Sequence, residues 1–97
     1  MEIQILDHDN PKYKNIQPWQ RHGSVYNLVP AKADALKPAG EWNQTRILVN
    51  KGHVEHWLNG IKVVEYNADS SLPATGRIAL VVQHGKAHFT NIRILEL

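Results

Sequence analysis

The sequence predicts an all-β fold, an antiparallel β-sandwich or jelly roll of about seven short strands. Asn59-Gly60 separates two apolar-rich segments with a loop of two residues. Both residue types tolerate the positive φ of a type I′ turn, so this is a strong hairpin signal. Short segments of alternating polar and apolar residues recur along the chain between turn residues, and helical periodicity is almost absent.

Three strands are predicted in the first half of the chain. Glu2 to Leu6 alternates polar and apolar residues and is followed by the turn cluster Asp7 to Pro11 and a polar loop. Gly23 to Val29 alternates again. Pro30 to Gly40 contains two bracketing prolines and is predicted to be a connector with at most a short 3₁₀ or helical turn. Trp42 to Asn50 alternates and forms the third strand.

The hairpin around Asn59-Gly60 supplies the next two strands, and its turn predicts their register. The expected opposite pairs are Leu58 with Ile61, Trp57 with Lys62, His56 with Val63, Glu55 with Val64, Val54 with Glu65 and His53 with Tyr66. This register places a histidine among aliphatic residues on one face and a tryptophan beside charged residues on the other.

Two strands are predicted in the last part of the chain, after a loop from Asn67 to Gly76. Arg77 to Gln83 contains a nearly continuous apolar run, which indicates a strand buried on both faces. His84-Gly85 forms a turn, and Ala87 to Leu97 alternates as the final strand.

Composition and charge argue against a nucleic-acid-binding, disulfide-bonded or membrane-spanning protein. Ninety-seven residues form one domain, residues 1–97, and 11 basic against 9 acidic residues give a net charge of +2. The basic residues are scattered, so nucleic-acid binding is not expected. No cysteine is present, which excludes disulfides and thiolate metal sites. No apolar run reaches membrane-spanning length, and the first residues lack the pattern of a signal peptide.

Several motifs, taken in order, resemble the 3-keto-disaccharide hydrolase domain family of concanavalin/laminin-G-like jelly rolls. They cover nearly the whole chain. These motifs are Glu2-Ile-Gln-Ile-Leu-Asp7, Gly23-Ser-Val-Tyr26, Gly40-Glu-Trp-Asn43, His56-Trp-Leu-Asn-Gly60, Lys62-Val-Val-Glu-Tyr66, Gly76-Arg-Ile-Ala-Leu80 and Phe89-Thr-Asn-Ile-Arg-Ile94-Leu-Glu-Leu97. The resemblance covers only the C-terminal half of the family domain. It also departs near Gln83-His84-Gly85, where a shift of one residue reverses the face of the histidine.

The resemblance implies chemistry on a glycoside already oxidised at C3, and a periplasmic or secreted location. A base would remove the acidified C2 proton, the anomeric substituent would leave, and water addition would complete hydrolysis. The expected catalytic residues are His56, His84 and Glu55, with Glu2 as a further base candidate; His56 could equally be a hydrogen-bonded core histidine. The expected substrate-binding residues are Trp57, Trp42, Asn43, His22, Tyr26 and Gln83. The two tryptophans could equally be packing residues, and Asn43 could equally cap the start of a strand. Asn59 is assigned to the turn alone.

No cofactor is expected, and the spacing of possible ligands does not indicate a metal site. A divalent metal stays possible, because His8 between Asp7 and Asp9 could bind a hard cation. A turn that satisfies its own backbone explains that cluster more simply.

Half a jelly roll should expose apolar surface, so two copies are expected to associate with two-fold symmetry, either supplying the missing layer for each other or swapping strands. A compact smaller sandwich is the alternative. The three functions considered are an enzyme acting on 3-keto-glycosides, a carbohydrate-binding module without chemistry, and a truncated domain whose main property is assembly.

Overall fold

The computed structural model describes residues 1–68, 77–82 and 85–96. Within them, one antiparallel sheet has the strand order β1-β2-β3. The strands are β1, Thr45–Asn50; β2, His53–Leu58; and β3, Ile61–Asn67. Two 3₁₀ turns, Pro11–Tyr13 and Pro18–Gln20, are the helical elements of the described ranges, and no helix there is long and apolar enough to cross a membrane. The all-β class is confirmed.

Two-residue loops join the three strands. Asn59 and Gly60 have φ values of 53° and 82°, and Lys51 and Gly52 have φ values of 49° and 83°. Positive φ at both loop positions is the requirement of a type I′ turn, whose twist matches that of the flanking strands. The hairpin predicted at Asn59-Gly60 is therefore confirmed.

A β-bulge corrects the predicted register of that hairpin. Trp57 pairs with Lys62 as expected, but Val64 and not Val63 lies opposite His56. Val63 is the extra residue, so the remaining pairs move by one position, to Glu55 with Glu65, Val54 with Tyr66 and His53 with Asn67. Val63 and Val64 are consecutive apolar residues that are both buried. The bulge buries both, which regular alternation cannot do.

The core lies between one face of β2 and β3 and the N-terminal segment of the chain. Val25, Leu58, Val63 and Val64 form the buried cluster, and the partly buried residues packed against it are Ile3, Val29, Ala31, Ala35 and Tyr66. The backbone N–H of Lys32 donates to the Val63 carbonyl at 2.7 Å, which fastens the connector to the outer edge of β3.

The two N-terminal strands are reduced to isolated bridges. Ile3 pairs with Val25, and Val25 pairs with Val29. Asn27 has a φ of 63°, and this left-handed residue turns the chain so that the Val25 N–H donates to the Val29 carbonyl at 2.8 Å. The alternation from Gly23 to Val29 therefore marks a tight turn and not a continuous strand.

The predicted strands after residue 76 are not formed in the described residues. Ile78 is 76% exposed and Ile94 is 74% exposed, and neither 77–82 nor 85–96 joins the sheet. The prediction of a strand buried on both faces is wrong for 77–82, because no neighbouring strand covers or pairs with that segment in the described part of the chain. Gln83 and His84 lie outside the described residues.

Candidate functional site

Charged and aromatic side chains lie together on the solvent side of the three-stranded sheet. Arg46 on β1 lies opposite Trp57 on β2, which lies opposite Lys62 on β3. His53 and Glu55 follow on the same side of β2, because side chains two residues apart share a face. The bulge places Glu65 opposite Glu55. These six residues, Arg46, His53, Glu55, Trp57, Lys62 and Glu65, are called the polar face below.

Glu55 occupies the centre of the polar face and is held at both carboxylate oxygens. The indole Nε1–H of Trp57 donates to Oε1 at 2.9 Å, and Nε2 of His53 lies 3.0 Å from Oε2. The hydrogen bonds from Trp57 and then His53 lower the pKa of Glu55, although partial burial opposes this effect. The carboxylate is therefore ionised at neutral pH, and it keeps free lone pairs for a further proton.

His53 is surrounded by hydrogen-bond acceptors. Its Nδ1 lies 2.9 Å from Oδ1 of Asn67, and its Nε2 lies 3.0 Å from Glu55 and 3.2 Å from Glu65. The contacts with Asn67 and then Glu55 raise the pKa of His53. Both ring nitrogens can donate only in the imidazolium form, so this environment favours a positively charged ring.

Glu65 and Lys62 complete the charge balance of the polar face. Lys62 Nζ lies 3.0 Å from Oε2 of Glu65, and this contact lowers the pKa of Glu65. Lys62 Nζ also lies 5.7 Å from the centroid of the Trp57 ring, within cation–π range. Lys62 contacts Glu65, and His53 contacts both Glu55 and Glu65, which offsets the repulsion between the two carboxylates.

Trp57 borders a shallow open depression of about 240 Å³, which is lined by Gln44, Arg46, Trp57 and Gly60. The half-buried indole presents a flat apolar surface beside polar side chains. A pyranose ring packs its C–H-rich face on such a ring while its hydroxyl groups bond to the neighbours. The depression combines one aromatic ring with an amide and a guanidinium.

His56 lies on the opposite face of β2 and is fully buried. Its Nδ1–H donates to the Gly23 carbonyl at 2.8 Å, and its buried Nε2 has no hydrogen-bond partner among the described residues. Burial lowers the pKa of His56, although the bond to Gly23 opposes this effect. The structure thus places His56 and Glu55 on different sides of the sheet and does not bring these two catalytic candidates together.

His22 belongs to the same buried region as His56. The Leu6 N–H donates to its Nδ1 at 3.1 Å, which leaves the proton of the neutral ring on Nε2. Burial, reinforced by the charges that His56 and His8 would carry, lowers the pKa of His22 to about 4. The ring is therefore neutral at physiological pH and anchors the N-terminal segment over the core.

The remaining substrate-binding candidates are scattered. Trp42 is 63% exposed. Tyr26 packs edge-to-face on Trp19 at 5.1 Å between ring centroids. Asn43 Oδ1 accepts hydrogen bonds from the Lys37 N–H at 2.8 Å and from the Asn59 amide at 2.9 Å, so it fastens the loop before β1. The roles of Gln83 and His84 stay predictions, since both lie outside the described residues.

Sequence reasoning placed Glu55 and Trp57 among the candidates but missed their polar neighbours. Glu65 was expected opposite Val54, on the apolar side, and His53 opposite Tyr66. The bulge brings Glu65 opposite Glu55, whereas His53 shares the face of Glu55 because the two lie two residues apart on β2. The signal that could have located the bulge is the Val63-Val64 dipeptide, because two successive aliphatic residues in an otherwise alternating strand cannot share one face without an extra residue.

Two groups of described residues bring three possible metal ligands within 4.8 Å of one another, His53 with Glu55 and Glu65, and His8 with Asp9 and Asp34. In the second group, the His22 N–H donates to His8 Nδ1 at 3.0 Å, so Nε2 carries the proton and donates to Asp34 at 3.1 Å. A metal ion would have to displace these hydrogen bonds in either group. The groups are internally satisfied as they stand.

Comparison with known proteins decides the family. The 3-keto-alpha-glucoside-1,2-lyase-like domain matches residues 1–95. The chain belongs to this family. A 3-keto-disaccharide hydrolase from Bacteroides thetaiotaomicron is 43% identical over 68 residues, which are 68% of this chain and 23% of that protein. The family resemblance read from the sequence is confirmed.

Two crystal structures of proteins from Parabacteroides distasonis, both provisionally called glycosyl hydrolases, share the fold. One has a TM-score of 0.63 and 36% identity over 67% of this chain and 34% of its own. The other has a TM-score of 0.53 and 36% identity over 58% of this chain and 26% of its own. The present chain therefore spans about a quarter to a third of the length of these similar proteins.

Proposed function

We propose that this chain acts on glycosides oxidised at C3, as a lyase or hydrolase that removes the C2 proton and expels the anomeric substituent. Membership of the 3-keto-alpha-glucoside-1,2-lyase-like family supports this class of reaction. The observation that carries the proposal within the chain is the double contact of Glu55. One carboxylate receives hydrogen bonds from an aromatic sugar platform, Trp57, and from an acid, His53.

The polar face offers a role for each of these groups. A ketone at C3 acidifies the C2 proton, which Glu55 takes while the electron pair passes to the carbonyl oxygen as an enolate. The pair then returns to form the C1–C2 double bond, and the C1–O bond breaks. The His53 imidazolium donates a proton to the departing oxygen. Water then adds to C1 while one of its protons passes to His53, and Glu55 returns its proton to C2, which completes net hydrolysis and restores both groups.

The electrostatics of the polar face suit this sequence. The hydrogen bonds that lower the pKa of Glu55 favour its carboxylate, and those that raise the pKa of His53 favour its imidazolium, so the contacts favour a base and an acid side by side. A carboxylate of modest basicity suffices as a base next to a carbonyl when donors stabilise the developing oxyanion. Lys62 and Arg46 border the same surface and supply further positive charge.

Turnover of a 3-keto-disaccharide tests the proposal, with release of the keto-sugar followed by chromatography. Glu55→Gln removes the base and keeps the shape, and we expect the rate to fall by about 100-fold or more. Glu41→Gln removes the same charge at an exposed turn and should retain the rate within about twofold. Undiminished turnover in Glu55→Gln would exclude the assigned base.

A carbohydrate-binding module without chemistry is the second candidate function. The depression beside Trp57 favours it, because an indole with amide and guanidinium neighbours binds a sugar without any need for a base. Glycan binding without turnover that is lost in Trp57→Ala would support this alternative. Retained binding in Trp57→Ala would count against it.

Self-assembly is the third candidate property. The partner proposed for the open edge of β1 is a second copy of the chain. Ile47 and Val49 on the core side of β1 are 46% and 48% exposed, and among the described residues no strand pairs with the outer edge of β1. An open edge flanked by apolar side chains is a template for strand pairing. Two β1 strands related by a two-fold axis would join the sheets of two copies.

A further inference from the structure

The depression beside Trp57 is bordered by positive charge on one side. Arg46 is the direct cross-strand neighbour of Trp57, and its exposed guanidinium forms no ion pair with any described residue. Lys62, the neighbour on the other strand, is already paired with Glu65 at 3.0 Å. Arg46 is therefore the cation of the polar face that is available to a ligand.

Negative charge fixes the orientation of such a ligand. The Nε1 edge of the Trp57 indole points to Glu55, and Glu65 lies directly opposite Glu55. An anionic group placed toward that end of the ring would meet two carboxylates. The same group placed toward Gln44 and Arg46 meets an amide and a guanidinium, and a guanidinium binds a carboxylate through two parallel hydrogen bonds.

The rim of the depression is held in place by the side chain of Asn59. Its Oδ1 accepts from the Gln44 N–H at 2.8 Å, and its amide donates to the Ala35 carbonyl at 2.7 Å and to Asn43 at 2.9 Å. Asn59 thus does more than form the turn that sequence analysis assigned to it. It joins the hairpin tip to the strand start that carries Gln44 and Arg46, which preorganises the surface for binding.

The volume of the depression, about 240 Å³, lies below the roughly 300–1,000 Å³ of pockets that enclose drug-sized ligands. It suits one sugar unit lying on the indole. The rim is open at Gly60, where an added Cβ would meet nothing within 4 Å.

We infer that this depression is a subsite for an acidic sugar, a hexopyranose whose carboxylate is bound by Arg46 while its ring stacks on Trp57. The inference rests on the proposed function, because it assigns a sugar class to the same polar face. It adds a charge requirement that neither the elimination chemistry nor the family match contains.

Calorimetric titration with unreactive methyl glycosides tests the subsite. Methyl glucuronide and methyl glucoside differ only at C6, and we expect the glucuronide to bind about tenfold more tightly. Arg46→Gln should abolish this preference, while Arg93→Gln, the same change at another exposed arginine, should keep it. Trp57→Ala should weaken binding of both sugars. Added salt should reduce the preference, because an exposed charge pair is screened.

A sulfated glucose distinguishes recognition of a carboxylate from recognition of any anion, and comparable binding of the two acids would widen the ligand class without removing the role of Arg46. Equal binding of glucuronide and glucoside, no binding of either, or a preference that survives in Arg46→Gln would overturn the inference. Turnover of a 3-keto-disaccharide is measured separately. Turnover of the 3-keto-disaccharide without a preference for the acidic sugar would contradict only the subsite. A preference for the acidic sugar without turnover would contradict only the proposed catalysis.

Discussion

Glu65 lies directly opposite Glu55 in the antiparallel pair of β2 and β3. Two like charges in that position repel each other. Nε2 of His53 lies 3.0 Å from one carboxylate and 3.2 Å from the other, so one imidazolium bridges both. The bulge at Val63 shifts the register so that Glu65 pairs with Glu55. This pairing forms the cluster of charges that the proposed chemistry uses.

The first prediction concerns the charge of His53. Its pKa is raised in the folded protein, so its stabilising effect is complete below the ordinary value of 6.5 and is lost as pH rises through the higher folded-state value. We expect the melting temperature to fall as pH rises above about 6.5. His53→Gln should have a lower melting temperature at about pH 6 and a weaker fall over this range. An unchanged pH profile in His53→Gln would contradict the bridging role.

The second prediction concerns His22, whose pKa is shifted in the opposite direction to that of His53. Its pKa is about 4 in the folded protein against 6.5 as a free side chain. The stabilising effect of the neutral ring is therefore complete above pH 6.5 and is lost as pH falls toward 4, by about 3 kcal/mol in total.

His22→Asn supplies the control for this second prediction, because the asparagine oxygen can accept the Leu6 N–H without titrating. Urea unfolding at several pH values should show a shallower dependence between about pH 6.5 and about pH 4 in this variant. A slope identical to that of the parent chain would contradict the assignment to His22.

The third prediction separates the structural from the catalytic interpretation of His56. His56→Ala removes a fully buried ring and leaves the Gly23 carbonyl without its donor, so we expect a loss of about 2–4 kcal/mol of stability. His56→Asn can still donate to Gly23 and should lose less. If His56 is structural, His56→Asn keeps its turnover of a 3-keto-disaccharide when folded. Loss of turnover in a stable His56→Asn would restore His56 as a catalytic residue.

The fourth prediction concerns assembly through the edge of β1. If two copies pair about a two-fold axis at Leu48, Ile47 lies opposite the partner's Val49, and Arg46 lies opposite the partner's Asn50, so apolar and polar faces both match. Sedimentation velocity should show a dimer at micromolar concentration. Ile47→Lys should produce a monomer, whereas Ile5→Lys, at a similarly exposed isoleucine away from this edge, should not. A monomeric parent chain would contradict the pairing.

The sequence predicted the local features that depend on near neighbours. Asn59-Gly60 forms its turn because only the two loop residues must adopt positive φ. Trp57 lies opposite Lys62 because these residues are close to that turn. Trp57 and Glu55 share a face because strand geometry alone dictates it.

Features that depend on contacts with segments distant in the sequence could not be predicted in the same way. Alternation from Ala87 onward meets the pattern of a strand, but a strand also requires a neighbour for its backbone, and the described residues provide none for that segment. The burial of His56 follows from the N-terminal segment that folds over β2, with Gly23 lying 33 positions earlier in the chain. The bulge was not predicted, because the pairing of β2 with β3 was assumed to continue residue by residue from the Asn59-Gly60 turn.

Binding of sugar at Trp57 on the polar face is tested most directly by the indole N–H signal of Trp57 in a proton–nitrogen NMR spectrum. Trp19 and Trp42 supply internal controls in the same sample. On addition of a 3-keto-glycoside, we expect the Trp57 signal to shift in a saturable manner while the signals of Trp19 and Trp42 stay in place. A Trp57 signal that does not move at saturating ligand, or a shift confined to Trp42, would contradict sugar binding at Trp57.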